Sequence, residues 1–469
     1  MARSLPRVDD VMAQTPVDRD RWADALRAGS LLVVMAGHWL MVSVTPDGSI
    51  TNTLSVIPAL QPLTWVLQVM PLFFLVGGVA HSHSLDSLAA SAHPEVAGGA
   101  SYGRYAAFVR ARALRLLRPS GAFLAVWVAL GVVAHLAGWT SGPGGRLFVA
   151  ALVLVPQLLW FVGIYLGVAA LAPVMRRLHK RYGWSVVVVL VAGAAVADLA
   201  RFAGGVESVG LANFALVWLA LHQVGFAWRD GAVTTRIAGL LLGAGVASLV
   251  LGVTLGPYPV SMVGLPGEPV SNMSPPTLAL LSQGLAIIGA AALLRGPMGA
   301  LLLRPRVWRA VLMAGPFAMT AFLWHLTALM VAIVAARALG VTLPSPGSAT
   351  WWVTRPLWFL LLAGLTTALV RVFVRWDRGS RRAMGGDADP RRWVDPVAAT
   401  GAGTTVVGVL MVSIVGVDVL GNRPVFFVMG EVTPAVAFAV FLAGCLLLYV
   451  ARPRLGVPVD RRGPGDDTS

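Results

Sequence analysis

An arginine and a histidine eleven residues apart, Arg27 and His38, lie in the first apolar stretch of the chain. On an α-helix that spacing is almost three turns, so the two side chains share a face about 16 Å apart. The guanidinium could hold an anionic group at a membrane surface. An imidazole with a pKa near neutrality can take a proton from a hydroxyl as that hydroxyl attacks a carbonyl. The plainer reading stays open: His38 hydrogen-bonds to a neighbouring helix, and Arg27 is one more positive charge at a cytoplasmic helix end.

Other residues invite the same question. Pro71-Leu72-Phe73-Phe74, running on to Gly77-Gly78, places a proline and paired glycines where they permit a bend and close helix contact. Downstream come Arg110, Arg112, Arg115 and Arg118, then Pro119. Arg112 and Arg115, like Arg115 and Arg118, are spaced i and i+3, a fork of guanidiniums suited to phosphate or diphosphate, or else a topogenic cluster. Phe322-Leu323-Trp324-His325 supplies a second intramembrane histidine beside an aromatic. Asp198 and Arg201, also i and i+3, are expected to pair with each other, and His222 with Gln223 to lie near a cytoplasmic helix end. His81 and His83 are alternate residues of a helix end and do not converge on one ion, so no metal site is expected. A single cysteine, Cys445, excludes a disulfide framework or thiolate cluster within one chain. Neither a Gly-x-x-x-x-Gly-Lys-Ser/Thr loop nor a Gly-x-Ser-x-Gly elbow occurs, so ATP hydrolysis and serine-hydrolase chemistry are unsupported.

These residues must be positioned by membrane helices. Of 469 residues, 57% are hydrophobic and 12% charged, whereas soluble domains carry roughly 25% charged residues. Twelve apolar stretches are long enough to span a bilayer, at about 26–45, 62–80, 121–139, 148–172, 184–203, 210–228, 236–256, 277–295, 309–337, 355–375, 402–420 and 432–450. The connecting segments alternate between arginine-rich and nearly arginine-free, which tests the count independently. The fold class is therefore all-α, a polytopic membrane helix bundle with both termini cytoplasmic. The net charge of +15 sits in loops that face an anionic leaflet, so the partner is the lipid bilayer and not nucleic acid. No cleaved signal peptide is read at the amino terminus. The usage of arginine over lysine, 35 of 36 basic residues with Lys180 the exception, suits a GC-rich bacterial genome.

The chain divides into a cytoplasmic segment at 1–25, a ten-helix domain at 26–376 and a cytoplasmic linker at 377–401 that contains Gly385, Gly386 and Pro390. Two additional helices at 402–450 and a disordered cytoplasmic tail at 451–469 follow.

Taken in order, these segments resemble the acyltransferase 3 family, bacterial membrane proteins that acylate hydroxyl-bearing acceptors. The likeness rests on Arg27-x10-His38, on Pro71-Leu72-Phe73-Phe74 through Gly78, on the Arg-x-x-Arg run ending at Arg118-Pro119, and on Phe322-Leu323-Trp324-His325. Trp160-Phe161 with Tyr165 and Pro173 adds a weaker fifth element. It covers about 19–376 and leaves the last two helices as an addition. The resemblance implies a plasma-membrane O-acyltransferase with His38 as catalytic base and Arg27 positioning donor or base. Arg112, Arg115 and Arg118 would bind the donor's phosphates, and His325, Trp324, Phe73 and Phe74 would contact substrate. It implies no permanently bound cofactor, acyl-coenzyme A as donor, and a hydroxyl on a glycan, lipid-linked sugar or small molecule as acceptor. Two positions depart from the family pattern: Gly77 stands where a serine is frequent, and Tyr165 where a glutamate is frequent. A twelve-helix transporter is the competing reading, and it predicts related halves. No second Arg-x10-His occurs in residues 235–469.

Overall fold

The structure is a computed structural model that describes residues 12, 15–16, 19–45, 50–90, 103–376, 391–428 and 430–452. The tail from 453, the glycines of the linker and most of the amino-terminal segment lie outside the described residues.

Fifteen helices of eight residues or more are described. They are α1 (Arg21–Met41), α2 (Met70–Ala90), α3 (Arg104–Leu136), α4 (Gly142–Leu154), α5 (Leu159–Tyr182), α6 (Ser185–Phe202), α7 (Asn213–Arg229) and α8 (Thr235–Thr254). The chain continues with α9 (Leu278–Leu293), α10 (Arg295–Leu302), α11 (Pro305–Ala314), α12 (Ala318–Ala338), α13 (Ala349–Phe373), α14 (Val394–Val415) and α15 (Pro434–Val450). Two antiparallel hairpins, β1 (Val42–Val44) with β2 (Ile50–Asn52) and β3 (Val425–Phe427) with β4 (Gly430–Val432), are the only sheets among the described residues. Hydroxyl caps begin several helices: Thr234, Thr277, Ser348 and Thr433 each accept from a backbone N–H in the first turn of α8, α9, α13 and α15.

All twelve apolar stretches fall on helices. Nine described spans are long and apolar enough to cross a membrane, or ten when α9 and α10 are taken as one span bent by 56°. The other two members of the twelve are α15, an apolar helix of 17 residues, and α1, whose hydropathy is lowered by Arg21, Asp24, Arg27 and His38. Helix α3 begins well before its apolar stretch and runs for 33 residues, about 50 Å, longer than the hydrocarbon core. Arginine, leucine and alanine are good helix formers, so the arginine run continues the helix.

Helices α2 and α7 are buried on nearly every side and form the centre. Their axes approach closely because a Cβ on Gly78 would fall 2.1 Å from the His222 carbonyl oxygen, and one on Gly225 would fall 2.2 Å from that of Leu75. Helix α1 packs on α2 and α12, while α14 pairs with α15 and lies across α5 and α3. Helix α13 faces outward with Val353 and Leu357 more than 70% exposed, an apolar surface that only lipid can solvate. Asp20 fixes the start of α1: it caps the helix at Ala23 N (3.0 Å) and accepts from Trp228 Nε1 (2.9 Å) and Arg295 (2.8 Å).

Candidate active site

Helices α1 and α12 bring His38 and His325 together, Nδ1 of His38 lying 2.8 Å from Nε2 of His325. The rings are nearly parallel, with an interplanar angle of 11°. His325 Nδ1 lies 2.5 Å from the Phe322 carbonyl oxygen. A carbonyl can only accept, so Nδ1 carries the proton and Nε2 of a neutral His325 carries a lone pair. His38 Nδ1–H must then be the donor between the rings, which leaves the lone pair of His38 on Nε2. Trp39 Nε1 donates to the His325 carbonyl at 3.2 Å and fixes α1 to α12 at this level. His325 is fully buried while His38 is half-buried. The pair therefore presents one basic nitrogen, with its tautomer set by a backbone group behind it.

Arg27 sits three turns below, its guanidinium 3.4 Å from Asp24, which also binds Arg19 at 2.7 Å. The charges of Arg27, Arg112 and Arg115 all reach Tyr165, a half-buried side chain of α5. Arg112 stacks its guanidinium over Phe108, 4.4 Å from the ring centroid. Arg118 does not join this group; its charge interacts instead with Arg110, whose other neighbours are Tyr449 and Arg452 at the end of α15. The fork expected from the i, i+3 spacing is thus Arg112 with Arg115. Each further step of three residues rotates a side chain by about 60° around the axis.

An aromatic cluster leads from the arginines toward the histidines. Phe74 is fully buried and stacks on Trp218 at 4.4 Å, whereas Phe73 is half-buried against Phe161 at 5.5 Å. Phe161 touches Phe322 at 5.6 Å, and Phe322 touches His325 at 5.8 Å. Trp324 turns away from this line: it is buried between Phe123 and Phe373, stacked on the latter at 3.8 Å. Gly77 and Tyr165, the two departures from the family pattern, meet each other. A Cβ on Gly77 would fall 3.0 Å from the Tyr165 ring and hydroxyl.

Sequence reasoning missed a second histidine pair. His81 Nδ1 lies 3.0 Å from His222 Nε2, and both side chains are buried beside Phe108, Tyr165 and Phe226. The signal was the glycine at 78, one turn before His81, which sets α2 against the turn of α7 that carries His222. Asp198 and Arg201 do not pair as expected. Arg201 binds Glu207 at 3.1 Å, while Asp198 accepts from Asn213 at 2.8 Å, Tyr258 at 2.9 Å and the Leu278 backbone at 2.7 Å. Asp198 is thereby a brace between α6, α7 and the entry to α9, and burial together with its carboxylate pushes the Tyr258 phenol up. A groove of about 610 Å³ between α8 and α9, lined by Ala244, Leu251 and Leu255, holds neither histidine pair nor arginine fork. Among the described residues no three His, Cys, Asp or Glu side chains are grouped to hold a metal ion.

The chain matches no curated protein and no solved structure. The family described as an acyltransferase domain, acyltransferase 3, matches residues 20–375, from the cap of α1 to the end of the α13 segment. That interval contains both histidine pairs and the arginine fork, and the chain belongs to this family of acyltransferases.

Proposed function

We propose that the protein transfers an acyl group from acyl-coenzyme A to a hydroxyl of a glycan, lipid-linked sugar or small molecule. His38 Nε2 removes the hydroxyl proton as the oxygen attacks the thioester carbonyl. The tetrahedral intermediate expels the thiolate, which takes the proton back from the imidazolium, so a C–O bond replaces a C–S bond and no proton is gained or lost. Through the step His325 Nε2 keeps accepting from His38 Nδ1–H, which holds the ring in place and stabilises its positive charge.

Arg112 and Arg115, with Arg27 completing the group around Tyr165, bind the polyanionic nucleotide of the donor. Arg118 extends this basic surface outward. Phe73 lines the way of the acyl group, with His325 at its far end. Residues 26–376 are the catalytic unit and the helices within 402–450 an addition to it. The arginine alternation supports a cell-membrane location with both termini and the arginine fork on the cytoplasmic side, where acyl-coenzyme A is made. The single observation carrying the reading is the contact of His38 Nδ1 with His325 Nε2, backed by the Phe322 carbonyl at His325 Nδ1.

The test is transfer of labelled acyl groups from acyl-coenzyme A in membranes holding the native chain or His38→Ala. Native-rate transfer by the variant defeats this assignment, and loss of transfer with unchanged protein level supports it. Mass spectrometry of glycans and lipids from cells with and without the gene identifies the acceptor by a lost acyl mass increment.

A further inference from the structure

Six connecting segments alternate with the arginine-rich ones: 46–61, 140–147, 204–209, 257–276, 338–354 and 421–431. Together they contain two basic residues, Arg146 and Arg423. Although 277 residues apart in sequence, both line one pocket of about 510 Å³. Ligand sites of small molecules occupy roughly 300–1,000 Å³. The pocket lies at the end of α3 that carries His135, twenty residues and about 30 Å along the helix from Arg115.

Its walls come from two parts of the chain. Helix α4 supplies Arg146, Val149 and Val153, and the segment joining α14 to α15 supplies Asp418, Arg423 and Val425. The junction is built closely. Val417 N donates to the Leu152 carbonyl at 2.9 Å, and Gly416 sits there at φ +76°, where a Cβ would fall 2.5 Å from that same oxygen. Asp418, the one carboxylate of the pocket, is engaged: its Oδ1 lies 2.7 Å from His135 Nε2 and accepts from Gly421 N at 2.9 Å. Arg146 and Arg423 are exposed and form no ion pair among the described residues.

We propose that this pocket binds the phosphate of an anionic amphiphile, the two guanidiniums on the phosphate oxygens and the valines against the attached hydrocarbon. Two planar forks around one anion suit a phosphate, whose non-bridging oxygens can each accept from a guanidinium. Valine walls suit a ligand that arrives from the bilayer. The segment joining the last two helices thereby completes a second phosphate site, apart from the arginine fork of α3. The ligand is either a membrane phospholipid or a polyprenyl phosphate that carries an acceptor sugar, both of which offer this chemistry.

Binding is read without turnover, so the outcome is separate from that of His38. Native mass spectrometry of the full chain in a neutral detergent is run with phosphatidylglycerol, with a polyprenyl phosphate and with uncharged diacylglycerol. A one-to-one adduct is expected with the phosphate-bearing lipids and not with diacylglycerol. Arg146→Gln with Arg423→Gln weakens it at least tenfold, and Arg146→Lys with Arg423→Lys restores most of the loss. Preference for the polyprenyl phosphate by tenfold or more identifies a carrier lipid, and equal binding identifies a bilayer headgroup; either supports the site. The proposal is overturned if the double glutamine variant, with an unchanged unfolding temperature, binds both phosphate lipids as the native chain does, or if diacylglycerol binds as tightly as they do.

Discussion

Two histidine pairs with almost the same contact distance, 2.8 Å for His38–His325 and 3.0 Å for His81–His222, sit in one bundle and differ in what lies behind and in front of them. Behind His325 stands a backbone carbonyl that fixes the proton on one nitrogen, and in front of it His38 is half open. Behind His222 there is no such group: its Nδ1 has no partner among the described residues, and both rings are closed in. A hydrogen bond between imidazoles is common to both pairs, whereas a backbone carbonyl behind the pair and a partly open ring in front of it belong only to the first.

That contrast can be broken in a graded way. His38→Ala is expected to lower acyl transfer by roughly 10²–10⁴-fold, the ordinary worth of a positioned general base, with the protein level unchanged on an immunoblot. His325→Ala leaves His38 free to rotate and is expected to lower kcat by about 10²-fold at unchanged donor KM. His325→Gln, whose amide oxygen can accept from His38 Nδ1–H, should recover part of that loss; equal activity of the two variants would sink the orienting role. Arg115→Gln removes a charged contact worth about 1.5–3 kcal/mol, so donor KM is expected to rise roughly tenfold or more in steady-state kinetics. Arg118→Gln, turned toward the Arg110 side, should change it by no more than about threefold. His222→Ala is expected to have the smallest effect on turnover, within about threefold. It should instead lower stability by about 1–3 kcal/mol, because His81 is left with a buried unmatched nitrogen, and a thermal melt in detergent reads this.

Much of this contrast was not legible in the chain. Hydropathy and arginine alternation are summed over whole segments and survive local error, so the helical bundle could be read from them. His38 was legible as one residue of a spaced pair. His325 was legible as a second intramembrane histidine, but its contact with His38 was not, because the two meet only through the packing of α1 on α12. The departures at Gly77 and Tyr165 could be noticed separately, yet only the fold shows them as one accommodation: the tyrosine ring occupies the space that a side chain at 77 would need. Gly77→Ser should therefore cost about 1–3 kcal/mol in a native background and less alongside Tyr165→Ala, a coupling that a double-mutant cycle measures. Asp198 and Arg201 show the opposite failure. Their spacing permits a local ion pair, but Glu207, Asn213, Tyr258 and the Leu278 backbone prevail over it once the ends of α6, α7 and α9 come together.

The distance along the chain between His38 and His325 has a consequence during synthesis. His38 is synthesised well before the residue it contacts, His325, which follows 287 positions later. At about 5–20 residues per second this is an interval of roughly 15–60 s. The capping contacts of Asp20 with Trp228 and Arg295 arrive late as well. A nascent or truncated chain thus carries the His38 imidazole without its His325 partner. The contact between α1 and α12 at His38 therefore forms only after the insertion machinery has delivered most of the bundle.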